Sequence, residues 1–251
     1  MTNLCFQIDG YVSPFADQLP KVQTEDLIYI EKFEEDAYGH WLFGGTSTSL
    51  VDKVNGRTLT LQAGATVQPI YADNYVRLGA AKGQSLQSGL MDSAVDGYTI
   101  SGVVQPETSD LMVLLGTLGA STEPQGAGIF TSAGKVFATG RTGVSSLDPG
   151  LALDTSKPVF VSVSVNKTSG VVNIVAMQNG VTFEKTSTGA QVDSGTALSV
   201  GNSRYTTSAT YNTLKNKYYE AIIHNRALSI SEMKAMANRA KIRQAKRGNA
   251  F

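Results

Sequence analysis

A glycan hydrolase needs two carboxylates across the scissile bond, about 5 to 9.5 Å apart, and the acids that could supply them stand in two places. One is the run Glu31-Lys32-Phe33-Glu34-Glu35-Asp36, and the other is Glu220, alone in a β-like stretch. A strand would present the pair as alternate residues of one face, and no Glu-x-Asp-x-x-Glu arrangement occurs. Glu220 therefore reads as a structural residue, paired or hydrogen-bonded near Arg226. A nucleophilic triad would need His40 or His224 as its base, the two histidines of the chain. Each reads instead as a strand-end residue, beside Trp41 and Asn225 respectively. The chain is expected not to be an enzyme.

Two histidines and one cysteine offer no zinc spacing. Calcium needs only loop oxygens, which Asp92 and Asp96 of "MDSAVDG" or Asp73 and Asn74 of "ADN" could contribute, although such residues also make ordinary turns. No cofactor is expected beyond such a structural calcium. For ligand binding the most suggestive stretch is "GNSRYTTSATYNTLKN" from Gly201, where Arg204, Tyr205, Tyr211 and Asn212 combine planar apolar faces with forked polar groups. Sugars favour such mixtures. An ordinary surface loop or a subunit contact would use the same residues.

Lys and Arg total 21 and Asp and Glu total 21, so no net field recommends a nucleic acid or an anionic membrane as partner. The charge is unevenly placed, however. Acids crowd residues 21–36, whereas Arg239, Lys241, Arg243, Lys246 and Arg247 come with no acid among them, so the two ends could attract each other or partners. The basic group also reads as a solvated helix end matched to the helix dipole. Cys5 stands alone, which excludes an internal disulfide. "MTNLCFQIDG" has neither a basic nor a sustained apolar segment, and no run approaches the roughly 18 apolar residues of a membrane span.

The elements that must position these residues announce themselves by period two. In "VFVSVSVNKTSGVVNIVAMQNGVTFEK", Val159, Val161, Val163 and Val165 alternate with Phe160, Ser162 and Ser164, and "NKTSG" and "QNG" supply turns. Three consecutive strands should form a meander. Weaker signals from Arg57, Asn74, Tyr98, Leu111, Ala127 and Lys217 raise the total to roughly a dozen strands, the spacing of an all-β antiparallel sandwich. A short C-terminal helix follows, for Ser229 and Glu232 form a capping box and Met233, Met236, Ala237 and Ala240 recur on one side. Leu228 should staple its entry. The strand before it should carry Tyr219, Ala221 and Ile223 on one face and Tyr218, Glu220 and Ile222 on the other. The stretch from Gln23 suits a helix, a short strand or a partner-dependent arm.

The sequence "YYEAIIHNRALSISEM" resembles the final strand and helix of laminin-G-like, concanavalin A-like jelly rolls, the match resting on Glu220, Asn225, Arg226, Ala227, Leu228, Ser229 and Glu232. The stretch from His40 through Trp41 to "DNYVRLG" is similar to that family's opening strands. The resemblance implies a sandwich over residues 39–251, preceded by an extension over residues 1–38. It assigns structural roles to Trp41, Glu220, Arg226, Leu228, Ser229 and Glu232.

Such domains occur in lectins, glycan hydrolases, animal adhesion proteins and bacteriophage virion proteins, so the resemblance alone does not choose a function. The missing export signal and disulfide, the extension, and a chain that ends soon after its helix lean towards the bacteriophage members. The expectation is a non-enzymatic virion protein, folded in the host cytoplasm, of the tail-fibre or receptor-binding kind. A capsid decoration protein and a glycan-cleaving depolymerase are the alternatives. Its partners would be other virion proteins through residues 1–38, sister subunits with a trimer favoured, and a cell-surface glycan, without nucleic acid or membrane insertion. Charge changes at Arg239, Arg243 and Arg247 should then cost little stability.

Overall fold

The computed structural model describes residues 32–120, 126–139, 146–189 and 193–251. The part of the expected extension before Lys32, including the stretch from Gln23 to Glu31, lies outside the described residues. Among the described residues fourteen strands and one α-helix follow one another: β1 (Gly39–Leu42), β2 (Thr60–Leu61), β3 (Ile70–Ala72), β4 (Tyr75–Gly79), β5 (Gln84–Met91), β6 (Gly97–Gln105) and β7 (Met112–Gly116). The second half supplies β8 (Gly128–Ser132), β9 (Lys135–Thr139), β10 (Val159–Asn166), β11 (Val171–Gln178), β12 (Val181–Thr188), β13 (Ala197–Asn202), β14 (Lys215–His224) and α1 (Ile230–Lys246).

They build two antiparallel sheets. One has the order β12-β11-β10-β6-β14-β4-β3, with β1 also paired to β14, and the other β2-β5-β13-β7-β8-β9. The chain is an all-β sandwich closed by one C-terminal helix. The expected meander β10-β11-β12 is present in register, and its second turn joins Gln178 directly to Val181. Asn179 and Gly180 both have positive φ there, the two-residue turn whose twist matches paired strands.

The apolar alternation places two cores on the two faces of the larger sheet. Val159, Val161, Val163 and Val165 join Trp41, Ile100, Leu114, Leu115, Ile129 and Ile174 between the sheets. Phe160, Val103, Val175, Met177 and Ile222 face outward and are covered by Leu228, Met233, Met236, Ala237, Ala240 and Phe251. The hydroxyl row on this outer face is buried as well. Ser101 and Ser162 bond each other at 2.7 Å, and Ser164 donates to the Leu228 carbonyl at 2.8 Å. Thr99 accepts from the Leu228 amide at 2.9 Å and donates to the Arg226 carbonyl at 3.0 Å. Small hydroxyls thus admit the helix entry close to the sheet and satisfy the backbone that leaves it.

β14 lies inside the sheet, between β6 and β4, but its faces differ from simple alternation. A register shift between Tyr218 and Glu220 marks a bulge. The extra residue turns Tyr219 to the helix side with Glu220 and Ile222, while Tyr218 joins Ala221 and Ile223 in the inner core. The alternation expected for the two tyrosines is reversed for that reason. Trp41 is buried in the inner core, and its indole N–H donates to the Arg57 carbonyl at 3.2 Å.

The helix begins as its sequence specifies. The Ser229 hydroxyl accepts from the Glu232 amide at 3.3 Å, and the Glu232 carboxylate accepts from the Ser229 amide at 2.8 Å. Gly248, with φ 78°, follows the last turn in the left-handed conformation that ends helices. Leu228 is 4% exposed within the outer core. Leu228→Ala is therefore expected to cost about 2 to 5 kcal/mol in urea unfolding, and a variant as stable as the wild type would show that the helix does not close this core.

Candidate functional site

Glu220 is the centre of a buried polar cluster. Its Oε1 accepts from Arg243 Nε at 2.9 Å, from Arg243 Nη2 at 2.6 Å and from His40 Nε2 at 2.9 Å, and its Oε2 accepts from Gln244 Nε2 at 2.8 Å. His40 Nδ1 accepts the Glu34 amide at 3.0 Å, so the proton that His40 shares with Glu220 sits on Nε2. The side chains of His40, Glu220 and Arg243 are fully buried. Burial pushes the Glu220 carboxyl up, but the His40 hydrogen bond and the Arg243 charge outweigh it and hold the group at about 2.

A glycosidic general acid needs a raised value and an open approach, and Glu220 has neither. The expected pairing of Glu220 near Arg226 is replaced by pairing with Arg243. Arg226 turns outward, donating from Nη2 to Asp36 at 2.6 Å and from Nη1 to Glu232 at 2.8 Å. The second candidate acid site is engaged too. Glu34 takes the Arg239 fork at 2.6 to 3.1 Å and Arg243 Nη1 at 3.2 Å.

Acidic and basic ends of the chain thus meet, and residues 32–38 belong to the same compact unit as the sandwich. The basic cluster is the solvated helix end that its sequence suggests at the exposed Lys241 and Lys246, but not throughout. Arg239 is 42% exposed, but Arg243 is buried and Arg247 donates to the carbonyls of Tyr219 and Phe43. Spacing could have found Arg243 and Gln244, since they continue the buried stripe of Met233, Met236, Ala237 and Ala240.

His224 is buried at the end of β14, with Nε2 3.4 Å from Asp36 and Nδ1 without a partner among the described residues. Burial lowers its protonation range, partly offset by Asp36. Asp92, a calcium candidate, spends its carboxylate on Ser194 Oγ at 2.6 Å, the Ser194 amide at 2.8 Å, the Gly195 amide at 3.0 Å and Thr117 Oγ1 at 3.1 Å. Asn74 ties down the C-terminus through Asn249 at 2.7 Å. Asp96 is exposed. Among the described residues no three His, Cys, Asp or Glu side chains converge on a common point, and no helix is long and apolar enough to cross a membrane.

The β13–β14 loop is held by its own polar groups. The Asn202 side chain donates to the carbonyls of Ala80 and Tyr205 and accepts the Tyr205 amide, all at 2.8 to 2.9 Å. Arg204 Nη1 donates to the Thr117 carbonyl at 3.1 Å, and Thr207 donates to Asn212 Oδ1 at 3.1 Å. Tyr211 packs against the inner core, Arg204 and Tyr205 are half-buried, and Asn212 is exposed. The four residues share one ordered connection at the start of β14.

No family model and no curated protein sequence matches the chain. Solved structures do. The binding domain of Paraclostridial mosquitocidal protein 1 superimposes with a TM-score of 0.54 at 16% identity, over 79% of this chain and 51% of that one. The ligand-binding domain of botulinum neurotoxin serotype D, solved with N-acetylneuraminic acid, gives 0.55 at 13% identity over 81% and 51%. The botulinum neurotoxin DC binding domain, solved with rat synaptotagmin II, gives 0.53 at 12% identity over 81% and 51%. At such identities the likeness is one of fold. The chain spans about half the length of these binding domains.

Removing Arg243 would leave Glu220 charged and buried, so Arg243→Ala is expected to cost about 3 to 5 kcal/mol, whereas Arg239→Ala should cost about 1 kcal/mol or less. Equal effects in urea unfolding would show that burial does not separate the two arginines. Acid should act in two stages. A histidine lowered by burial stabilises the fold above its ordinary value of 6.5 and loses that contribution as pH falls below it. A carboxylate lowered from 4.5 to about 2 stabilises above 4.5 and loses on the order of 3 kcal/mol as pH falls towards 2. Glu220→Gln should shrink the lower limb, to which Glu232, held at about 2 by its Ser229 and Arg226 hydrogen bonds, also contributes, and His224→Gln should remove the upper one; profiles parallel to wild type would refute the assignment.

Proposed function

We propose that the chain is a non-enzymatic recognition component of a bacteriophage virion, of the tail-fibre or receptor-binding kind, which contacts a cell-surface glycan through its sandwich. The observation that carries the recognition half is the sandwich itself, shared over about four fifths of the chain with toxin binding domains. One of these was solved with a sialic acid, which makes a sugar the ligand class to test first. The non-enzymatic half is supported by the commitment of Glu220 and Glu34 to arginines, which leaves neither of these two carboxylates free for acid–base work. The virion setting rests on the resemblance of residues 39–251 to jelly rolls of that kind and on a fold that needs no disulfide.

In this reading Arg204, Tyr205, Tyr211 and Asn212 offer a recognition edge, with partly exposed rings for the apolar face of a sugar and an exposed amide for its hydroxyls. Residues 32–38 are spent on holding α1, so assembly with other virion proteins and with sister subunits, as a trimer, falls to residues 1–31. No cofactor takes part in this recognition.

The full chain should bind bacterial surface polysaccharide and release no reducing ends. Turnover that disappears in Glu220→Gln would overturn the reading, and labelling of tail-less heads rather than tails in electron micrographs would replace it with a decoration role. A chain starting at Lys32 should unfold in urea at the wild-type midpoint yet sediment as a monomer. Wild-type assembly by that chain would refute the role given to residues 1–31.

A further inference from the structure

At the far end of β14 from the loop just described, three connections converge on an open groove of about 450 Å³. Val95, Asp96 and Gly97 come from the β5–β6 connection, Asn166 and Thr168 from the β10–β11 turn, and Asn225, Arg226 and Ala227 from the passage into α1. Its size falls within the roughly 300 to 1,000 Å³ of ligand sites. The backbone that frames it is fixed. The Lys167 amide donates to the Asp96 carbonyl at 3.0 Å, the Ser169 amide to Asn166 Oδ1 at 3.0 Å, and Thr99 holds the Arg226 carbonyl. A side chain at Gly97 would stand 2.8 Å from the Val165 carbonyl and 3.2 Å from Ala227, so the close approach of the walls requires glycine there.

Within this frame the side chains of Asp96, Thr168 and Asn225 have no hydrogen-bond partner among the described residues. They supply an acceptor-only carboxylate, a hydroxyl and an amide. Arg226 contributes no unmatched charge, because Asp36 and Glu232 take its guanidinium. The free charge of the groove is therefore negative. An anionic sugar would meet Asp96 with a like charge, and a lone ammonium would use Asp96 but leave the hydroxyl and amide idle. Neighbouring hydroxyls can answer all three groups, donating to the Asp96 carboxylate, accepting from the Asn225 amide and donating to or accepting from the Thr168 hydroxyl, with Val95 and Ala227 left for the carbon face.

We propose that this groove, built by Asp96, Thr168 and Asn225, is a binding subsite for a neutral sugar unit carrying adjacent hydroxyls. The inference rests on the glycan-recognition reading and adds to it a second place and a charge preference.

The test uses the full chain against a panel of neutral gluco-, galacto- and manno-oligosaccharides and their sialylated counterparts, measured by calorimetry. Neutral oligosaccharides should bind, sialylation should not tighten them, and Asp96→Asn and Asn225→Ala should each weaken binding roughly tenfold or more. The urea midpoints should stay at the wild-type value, since both side chains are exposed. Neutral glycan bound equally by both groove variants but lost in Arg204→Ala would place the sugar at the β13–β14 loop, overturning the groove and leaving the recognition reading intact. Binding restricted to sialylated glycans would likewise overturn the groove alone. No binding to any member of the panel would overturn the groove, and no binding to bacterial surface polysaccharide either would overturn both.

Discussion

A carboxylate buried without water is tolerable only when every lone pair is answered, and Glu220 imposes that condition on the rest of the molecule. Its four donors come from β1 and from two neighbouring residues of α1, far apart in the chain. To supply them, β1 must pair with β14, and the helix must lie across the larger sheet in one axial position. A helix held by apolar contacts alone could slide by a turn and still bury methionines. One in which Arg243 and Gln244 must both reach Glu220 cannot. The ionic centre therefore fixes register, while the apolar contacts around it supply most of the favourable energy.

This division of labour explains the small residues beneath the helix entry. The outer face of β6 and β10 alternates large apolar groups, Val103 and Phe160, with Ser101, Ser162, Ser164 and Thr99. The large ones fill the space under α1, and the hydroxyls lower the surface where the chain crosses from β14 into the helix. There they also bond the backbone at Arg226 and Leu228 that has left one ladder and not yet entered another. The segment at residues 32–38 completes the layer from its other side, because Glu34 answers the donors of Arg239 and Arg243 that Glu220 cannot reach.

Local signals were legible in the sequence and long-range ones were not. The cap at Ser229, the staple at Leu228 and the turn at Asn179–Gly180 depend on neighbours within a few residues, and each is where the pattern puts it. The meander from Val159 to Thr188 is legible because period two persists through three strands. The faces of Tyr218 and Tyr219 were misread because a bulge leaves no mark in the hydrophobic pattern. The alternation of Ser162 and Ser164 with the valines does not announce the helix above them, because a polar row looks the same whether water or a helix covers it. Arg243 was assigned to the surface by its charge type, although its position on the methionine stripe argued for burial. The candidate loop was legible as a set of residues, and its framing by Asn202 and Thr117 was not, because the second partner comes from another sheet strand's end.

A scaffold that commits its buried acids to arginines has consequences for what it can do. Glu220, Glu34 and Asp92 are all answered by internal donors and so are spent on the fold, and in the proposed reading recognition falls to connections at the ends of the sheet. β14 links two such ends, with the Arg204–Asn212 loop before it and the groove of Asp96 and Asn225 after it. Both are framed by side chains bonding to backbone, so a ligand of the proposed kind would not have to order either of them. A weak polar ligand such as a sugar gains little from apolar burial and can bind only where that ordering cost has already been met by the fold.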